Sequence, residues 1–189
     1  MRFLRYFWTK IATKLKTLLD RHQLHITLQR LAHQLVENHL DFSETAIIGL
    51  QPRGVYFSDR IISILKDITG NNDIVYGRLD FTFYRDDLHK DKGLQAPDRT
   101  DINFEIEGKR VVLLDDVLHT GRTTRAAMDA LLDFGRPREV ELMTLIDRRF
   151  SRELPIQPDY TGLSVDTLFE QKVKVLWKEK DGKDEVVLL

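Results

Sequence analysis

Two adjacent carboxylates and a small hydroxylated turn stand close together in the second half of the chain. Asp115 and Asp116 follow four aliphatic residues, and after three more residues the turn Thr-Gly-Arg-Thr-Thr at 120–124 leads into a helical pattern. Backbone N–H groups at a helix start, with the helix dipole and threonine hydroxyls, bind a phosphate dianion. Carboxylates repel phosphate but accept hydrogen bonds from the vicinal hydroxyls of a sugar. The acid pair and the turn together predict a site for a sugar phosphate.

Each half of this run also has a plainer explanation. Asp115 and Asp116 can cap the turn that follows them, and Thr123 can be an ordinary helix N-cap. The complete arrangement at residues 111–125, VVLLDDVLHTGRTTR, is far more specific than either half. The GxxxxGKS/T pattern of a Walker loop is absent from the chain. We therefore favour a sugar-phosphate site over two unrelated caps.

The hydrophobic patterns on both sides of this run predict the elements that position it. Apolar residues at helical spacing predict helices over residues 24–40, 55–70 and 123–134. Aliphatic or alternating runs predict strands over residues 46–50, 74–84, 110–114 and 139–146. A polar connection at 147–162 and a hairpin at 172–189, turning at Asp181 and Gly182, complete the chain. This order is typical of the α/β class, with a mainly parallel twisted sheet flanked by helices and some antiparallel additions.

Three segments are expected at the ligand-binding edge of that sheet. Ligands bind beyond the carboxyl ends of parallel strands, and Asp115 and Asp116 come immediately after the strand at 110–114. The turn Gln-Pro-Arg-Gly at 51–54 follows another strand in the same way. Residues 85–103 are highly charged and lack apolar periodicity, so we predict a mobile loop that acts as an active-site lid.

Composition predicts one domain and excludes several kinds of site. The chain has 189 residues, of which 42% are hydrophobic and 31% are charged. Lys plus Arg number 29 and Asp plus Glu number 30, so the overall charge indicates neither a nucleic acid nor a membrane as partner. The absence of cysteine excludes disulfides, thiolate metal sites and thiol nucleophiles, and it fits a reducing cytoplasm.

The first sixteen residues, MRFLRYFWTKIATKLK, are basic and amphipathic. Basic residues interrupt every apolar run before it reaches membrane-spanning length, so we expect neither a signal peptide nor a transmembrane helix. The segment is a surface helix for a membrane or partner, or an extension that packs on its own domain or frays, and we favour the extension. The expected division is therefore an extension at 1–16 and a single domain at 17–189.

The run at 111–125 resembles the signature for phosphoribosyl pyrophosphate (PRPP) in type I phosphoribosyltransferases. Beyond it, the chain is similar to the PyrR family, whose members regulate pyrimidine operons by binding RNA and have uracil phosphoribosyltransferase activity. The similar segments are IIGLQPRGVY at 47–56, FYRDDLHK at 83–90, the stretch at 115–142 and RELPIQPDYTG at 152–162. The resemblance implies the type I phosphoribosyltransferase fold, with a small antiparallel hood beside the parallel sheet.

The resemblance also implies roles for individual residues. Asp115 and Asp116 would hold the ribose hydroxyls, and Arg53 would meet pyrophosphate. Arg85 and Asp86 would belong to the flexible catalytic loop. PRPP or nucleotide would contact Pro52, Arg53, Gly54, Asp115, Asp116, Val117, Leu118, His119, Thr120, Gly121, Arg122 and Thr123. A further loop containing Asp147 and Arg148 would lie beside pyrophosphate and the nucleobase.

The implied reaction converts uracil and PRPP to UMP and pyrophosphate. Mg²⁺ would be held mainly by pyrophosphate and ribose oxygens, with Asp115 and Asp116 assisting through water. A pyrimidine mRNA leader would contact Arg30 and His33, which lie three residues apart on one face of a helix, although a plain solvated helix face is the alternative. A homodimer or larger assembly is also implied, and it would join such positions into one groove.

Three departures from the family pattern bear on the acceptor and on the ligand contacts. Pro52 replaces a threonine, and His119 replaces the usual tyrosine. Residues 147–152, Asp-Arg-Arg-Phe-Ser-Arg, replace a shorter Asp-Arg-Gly-His-Arg. Two other functions therefore stay open: an RNA-binding attenuator with little catalysis, and a phosphoribosyltransferase for a purine or orotate.

Overall fold

The aliphatic run at 111–114 forms the first half of a long central strand. The computed structural model describes residues 15–86, 98–167 and 171–189. The helices and strands of these ranges are β1 Lys16–Leu19, α1 Arg21–His39, β2 Thr45–Leu50, α2 Gly54–Thr69, β3 Val75–Leu79, β4 Arg110–Leu118, α3 Arg122–Leu131, β5 Glu139–Arg149, β6 Tyr160–Asp166, β7 Val173–Leu176, α4 Lys178–Asp181 and β8 Glu185–Leu188.

A parallel sheet of five strands, in the order β3-β2-β4-β5-β6, forms the centre of the fold. Every residue of β2 is buried because helices cover both faces of the sheet. On one face, Leu28, Leu35 and Phe57 of α1 and α2 share a hydrophobic cluster with β4 and β5. On the other face, Ala126 and Ala130 of α3 pack against β2 and β4. The prediction of an α/β fold with a mainly parallel sheet is confirmed.

Local chemistry fixes the start of α1. Asp20 is the N-cap, and its carboxylate accepts a hydrogen bond from the Gln23 backbone N–H at 2.8 Å. The Gln23 side chain accepts in return from the Asp20 N–H at 3.0 Å, which completes a capping box. Leu24, Leu28, Leu31 and Leu35 then follow on the buried face. The helix therefore begins three residues before the predicted residue 24, because the apolar pattern alone does not reveal the first turn.

A small antiparallel sheet in the order β1-β8-β7 forms the hood. The hairpin predicted at 172–189 is confirmed as β7 and β8, joined by the short helix α4 and by Gly182 with a φ of 77°. Trp177 follows β7 and is completely buried in the main cluster beside α1 and α2. The sequence pattern did not predict β1, which pairs Lys16 with Leu188 and so adds its third strand to the hood.

Two strands extend further than the sequence indicated. β4 continues to Leu118 and β5 to Arg149, so Asp115, Asp116, Asp147 and Arg148 lie within strands rather than after them. Cross-strand pairing is the cause, since Leu118 pairs with Asp147. At the other edge of β5, the strand β6 pairs with it. The start of β6 overlaps the polar connection that the sequence predicted at 147–162. β6 is half-exposed and contains Gly162, which hid it from pattern analysis.

The predicted strand at 74–84 is shorter in the structure. β3 ends at Leu79, and a 3₁₀ turn follows at Thr82–Tyr84 because the Asp80 carboxylate accepts from the Thr82 N–H at 2.9 Å. Of the predicted lid at 85–103, residues 87–97 lie outside the described residues. The end of that segment is anchored, since Asp101 forms an antiparallel bridge with Arg78 of β3.

The extension expected at 1–16 lies almost entirely outside the described residues, which begin at residue 15. Lys16 already belongs to β1 of the hood. The division at 16/17 stays a prediction. In the part of the chain that the structure covers, no helix combines the length and the apolar character needed to cross a bilayer.

A buried polar cluster joins four elements at the amino-terminal edge of the sheet. His39 lies 3.0 Å from the Thr45 hydroxyl through Nδ1 and 3.1 Å from the Glu141 carboxylate through Nε2. The Tyr160 hydroxyl donates to the same carboxylate at 2.7 Å. Burial lowers the pKa of His39, and the charge of Glu141 only partly opposes this. His39 is therefore held neutral where α1, β2, β5 and β6 meet.

We expect His39 to make the protein less stable in mild acid. Its folded pKa lies below the unfolded value, so between the two the unfolded chain binds more protons and stability falls as the pH drops. Urea unfolding at pH 7, 6 and 5 should give a decline that is smaller by about 1 kcal/mol in His39→Asn. His25→Asn, on the exposed face of α1, is the matched control and should keep the wild-type decline. Identical declines in wild type and His39→Asn would refute this role.

Candidate functional site

The helix after the hydroxylated turn begins without a side-chain cap. Its N-cap is Gly121, with a φ of 90°, so the cap role considered for Thr123 is wrong. The first-turn N–H groups that no side chain caps are available to an anion. A Cβ on Gly121 would lie 3.3 Å from the Ile156 side chain, so packing as well as the φ angle requires glycine here.

A cavity of about 680 Å³ opens over this turn, within the size range of small-molecule sites. It brings together most of the residues predicted to bind PRPP, including residues of β4, the turn and the base of the predicted lid. Its lining consists of Arg85, Asp86, Asp115, Val117, Leu118, His119, Thr120, Gly121, Arg122, Thr123 and Glu153. Asp116, Pro52, Arg53 and Gly54 are not part of this lining.

The acid pair is buried in β4. Asp115 is 8% exposed and Asp116 is 7% exposed. Burial raises the pKa of Asp115 well above its usual range, and the charge of Asp116 adds to the effect. Burial also raises the pKa of Asp116, against the opposing charge of Arg53. Asp115 accepts a hydrogen bond from the Asp116 N–H at 2.9 Å. Asp115 therefore lacks donors that a sugar's hydroxyls would supply, whereas Asp116 already accepts from Arg53 and from the Val117 backbone N–H.

Arg53 links the acid pair to the hood. Its Nε donates to Asp116 Oδ2 at 3.3 Å, and its Nη2 donates to the Val175 carbonyl. The same Nη2 lies 3.4 Å from Asp181 Oδ2 in α4. The predicted partner of Arg53 was pyrophosphate, yet in the protein alone the guanidinium spans from β4 to the hood. The guanidinium lies beside the acid pair, where a bound PRPP molecule would contact it.

The neighbours of Arg53 have different roles. A Cβ on Gly54 would lie 2.6 Å from the Leu114 carbonyl, so this glycine allows α2 to start directly against β4. Its small size serves packing between protein backbones. Pro52 is exposed and follows a cis peptide bond to Gln51.

The base of the predicted lid lies across the cavity from the turn. Arg122 contacts Asp86 at 2.6 Å and Glu153 at 2.6 Å. Arg125 of α3 donates to the Tyr84 carbonyl at 2.9 Å. Arg85 and Asp86 thus lie beside the turn at 120–124, and their place in a catalytic loop stays a prediction. Glu153 was not predicted, because it is distant in sequence and reaches the turn only through the fold.

Arg152 is a second residue that the sequence did not reveal. Its Nη1 donates to the carbonyls of Leu118, at 3.3 Å, and of His119, at the start of the turn. Its Nη2 binds the Asp147 carboxylate, and its Nε donates to the Ile156 carbonyl at 3.0 Å. Arg152 therefore fixes the turn to β5 and to the loop after it. Four backbone carbonyls and one carboxylate use its donors, a pattern that sequence spacing cannot show.

Asp147 and Arg148 do not line the cavity over the turn. Asp147 borders a smaller cavity of about 350 Å³ together with Phe150 and Arg152. Arg148 is 5% exposed, and its guanidinium donates to the Thr167 hydroxyl at 3.2 Å and the Gln171 carbonyl at 2.7 Å. Burial lowers the pKa of Arg148, and no carboxylate in the described ranges pairs with it. Among the described residues, Arg148 is therefore held by neutral oxygen atoms.

The two residues proposed to bind RNA differ in whether contacts within the protein already use their side chains. Arg30 Nη2 donates to the carbonyls of Thr161, at 3.2 Å, and Gly162, at 2.5 Å, on the outer strand β6. Its guanidinium therefore caps a sheet edge. His33 is exposed on α1.

The donor set suits a metal ion that a ligand brings with it. No group of three or more His, Cys, Asp or Glu residues converges within the residues the structure covers. Two carboxylates alone do not form a cage, whereas Mg²⁺ commonly takes one or two carboxylates and completes its shell with water and ligand phosphates. Asp115 and Asp116 fit that limited role.

Removing one charge from the acid pair should stabilise the protein. Asp115→Asn keeps an oxygen for the Asp116 N–H and avoids burying a second carboxylate. We expect the free energy of unfolding at pH 8 to rise by about 1 kcal/mol, and the gain to shrink as the pH falls, because the raised pKa of wild-type Asp115 favours its protonated form. Urea unfolding at pH 8 and pH 5 measures both. Exposed Asp73→Asn is the control, and a loss of stability in Asp115→Asn at pH 8 would contradict this account.

Comparison with known proteins agrees with this geometry. Residues 14–180 match the phosphoribosyl transferase domain family. Similar solved structures include a hypoxanthine-guanine phosphoribosyltransferase from Bacillus anthracis, with a TM-score of 0.67, 20% identity and coverage of 92% of this chain and 98% of that one. The hypoxanthine phosphoribosyltransferase of Trypanosoma cruzi gives a TM-score of 0.66 at 16% identity, with 92% and 95% coverage. At such identities these neighbours establish the fold.

Sequence relatives define the family more narrowly. The bifunctional protein PyrR of Elusimicrobium minutum is 44% identical over 174 residues, which are 92% of this chain and 96% of that protein. The bifunctional protein PyrR of Desulfosudis oleivorans is 46% identical over 170 residues, which are 90% of this chain and 93% of that protein. The chain therefore belongs to the phosphoribosyl transferase family and, within it, to the PyrR proteins.

Proposed function

We propose that this protein transfers the 5-phosphoribosyl group of PRPP to uracil, giving UMP and pyrophosphate. One observation carries the proposal: the cavity of about 680 Å³ joins an uncapped helix start at 120–123 to a buried carboxylate in β4. A phosphate and a ribose diol need these two partners at the two ends of one sugar phosphate. Family membership supports the same donor.

In this proposal the 5′-phosphate binds the N–H groups and hydroxyls of the turn, and Asp115 and Asp116 accept from the ribose hydroxyls. Those contacts relieve the unfavourable burial of the pair. The C1′–oxygen bond to pyrophosphate breaks as the bond to the base nitrogen forms, through an oxocarbenium-like state. Arg53 then exchanges part of its contact with Asp116 for the anionic leaving group.

Mg²⁺ is the proposed cofactor, and when bound it would neutralise the leaving pyrophosphate. Asp115 and Asp116 would hold it through water. A lid formed by the segment after Asp86 would exclude water from the reacting carbon. A cytoplasmic location and a dimeric or larger assembly are part of the same proposal, on the grounds of the cysteine-free composition and the family resemblance.

Uracil as acceptor rests on the PyrR relatives rather than on a contact. The two solved hypoxanthine-guanine phosphoribosyltransferase structures from Bacillus anthracis are 20% and 22% identical to this chain, so their acceptors do not transfer to it. Because the loop after Asp147 differs from the family pattern, a purine and orotate are the competing acceptors.

A steady-state assay with PRPP, Mg²⁺ and a panel of uracil, hypoxanthine, guanine and orotate tests the proposal. We expect turnover with uracil, measured as UMP formation, and none with the other bases. Turnover with a different base would overturn the acceptor while keeping the donor site. Absence of turnover with every base, together with absence of PRPP binding by calorimetry, would overturn the site itself.

Two glycine variants make the assay specific for the turn. Gly121→Ala places a Cβ at a φ of 90° and 3.3 Å from Ile156, so PRPP affinity should fall at least about tenfold. Gly108→Ala carries the matched strain at a φ of 69° with open space around it. It should bind PRPP as wild type does.

The second function proposed is binding of a pyrimidine leader RNA, for which the relatives' description as bifunctional and the exposed His33 are the grounds. Phosphate contacts make such binding weaken steeply with salt. We expect a leader hairpin to bind more weakly at 200 mM than at 50 mM KCl, with UMP strengthening binding and His33→Ala reducing it. Salt-insensitive binding, or binding that His33→Ala leaves unchanged, would remove this face from the RNA site.

A further inference from the structure

The proposed reaction has a proton that must leave the acceptor. Uracil carries hydrogen on N1, and N1 carries the ribosyl group in UMP, so this hydrogen is lost as the new bond forms. The same holds for a purine that reacts through a ring N–H. A general base within hydrogen-bond reach of this proton increases the rate of such a step by about 10²–10⁴-fold. This inference rests on the proposed function and concerns which residue accepts the proton.

His119 occupies the right place in the cavity. It follows β4 directly and lies between the acid pair and the phosphate turn in the chain. Alternate residues of a strand face the same side, which puts Asp115 and Val117 on one face, and both line the cavity together with His119. The reacting carbon of a bound sugar phosphate lies between its hydroxyls and the base. The side chain of His119 is thus at the cavity wall where an acceptor would meet the donor.

The backbone of His119 is fixed, but its ring is not engaged. Arg152 donates to the His119 carbonyl, and the Glu153 N–H donates to the Thr120 carbonyl at 3.0 Å. The ring is exposed, and within the described ranges only charge and burial act on it, with no hydrogen bond to either nitrogen. An imidazole held at its backbone and unpaired at its ring can turn one nitrogen to a ligand.

The surroundings keep this imidazole ready to accept a proton. Burial lowers the pKa of His119, the charges of Arg148 and Arg152 lower it further, and Glu153 opposes them. A histidine whose pKa lies below 6.5 is mostly neutral at pH 7. The charged groups that face the cavity or act on the ring are Arg85, Asp86, Asp115, Arg122, Arg148, Arg152 and Glu153.

The other side chains around the cavity that could act as a general base already have partners or an assigned role. Asp86 and Glu153 both pair with Arg122 at 2.6 Å. Asp115 lies deep in β4 and is assigned to the ribose hydroxyls. Among the described lining residues, His119 contributes the imidazole.

We propose that His119 is the general base of the transfer. As the N1–C1′ bond forms, the C1′–oxygen bond breaks and its electron pair leaves with pyrophosphate. The proton on N1 of the base passes to the unprotonated ring nitrogen of His119, and solvent takes it up after product release.

The test is the pH dependence of kcat/KM for uracil in wild type and in His119→Asn. Wild type should lose activity as the pH falls through the pKa of His119, because the protonated ring cannot accept the N1 proton. His119→Asn should have a kcat lower by about 10²–10⁴-fold and should lack this acidic limb. Free imidazole added to His119→Ala should restore part of kcat, which a purely structural residue would not do.

Two further measurements serve as controls. PRPP affinity by calorimetry should change much less than kcat in His119→Asn, because the 5′-phosphate and ribose contacts are assigned to the turn and the acid pair. His25→Asn, which removes an exposed imidazole from α1, should keep both kcat and the acidic limb. A His119→Asn variant with wild-type kcat and pH profile would overturn the proposal and leave the proposed function standing. A wild-type protein that binds PRPP but uses none of the bases would overturn both.

Discussion

Two neighbouring carboxylates are buried in the central strand, and one arginine reaches one of them. Burying ionised groups costs free energy unless partners replace water, and Asp115 receives only a backbone N–H. The raised pKa of both groups expresses that cost. Such an arrangement persists only where the surrounding fold enforces it, and here β4 is held by β2 and β5 on its two sides. The strand that carries both carboxylates is therefore held by hydrogen bonds along both of its edges.

Arg53 connects the buried acid pair to the hood. It joins Asp116 to the Val175 carbonyl and to Asp181, which also accepts from the Trp177 backbone N–H at 3.1 Å. The hood is anchored a second time by Arg60 of α2, whose guanidinium lies 4.9 Å from the centre of the Trp177 ring. A ligand that takes Arg53 away from Asp116 removes one anchor and leaves the other. Under the proposed function, occupation of the PRPP site would therefore act on the hood through Arg53.

The sequence revealed those parts of the fold and site that local chemistry determines. The aliphatic run at 111–114 and the turn at 120–124 need only near neighbours to specify a buried strand and a helix start, and both were predicted. The length of β4 depends on pairing with β5, and the length of β5 depends on pairing with β6, whose half-exposed pattern and Gly162 conceal it. Arg152 and Glu153 reach the turn only through tertiary folding, so their spacing in the sequence carried no signal.

The loop after Asp147 is where the sequence departs most from the family pattern described above. Phe150, in the lengthened loop, adopts a φ of 63° and is 85% exposed, in a segment where the family has a glycine. The left-handed conformation costs a side-chain-bearing residue about 1 kcal/mol. The Arg149 guanidinium lies 5.7 Å from the ring of Phe150 and pairs with Asp166 of β6 at 2.7 Å, contacts that partly offset this cost.

Arg152 holds the turn at 120–124 in place although the loop before it is lengthened. Its donors go to Asp147 and to backbone carbonyls on both sides of the loop, so an extra residue between Asp147 and Arg152 leaves the turn in place. The loop can therefore be remodelled around the acceptor while the donor cradle keeps its geometry. Under the proposed function, a change in this loop would alter the surroundings of the acceptor and leave the turn proposed to hold the 5′-phosphate in place, because Arg152 holds that turn through the carbonyls of Leu118 and His119.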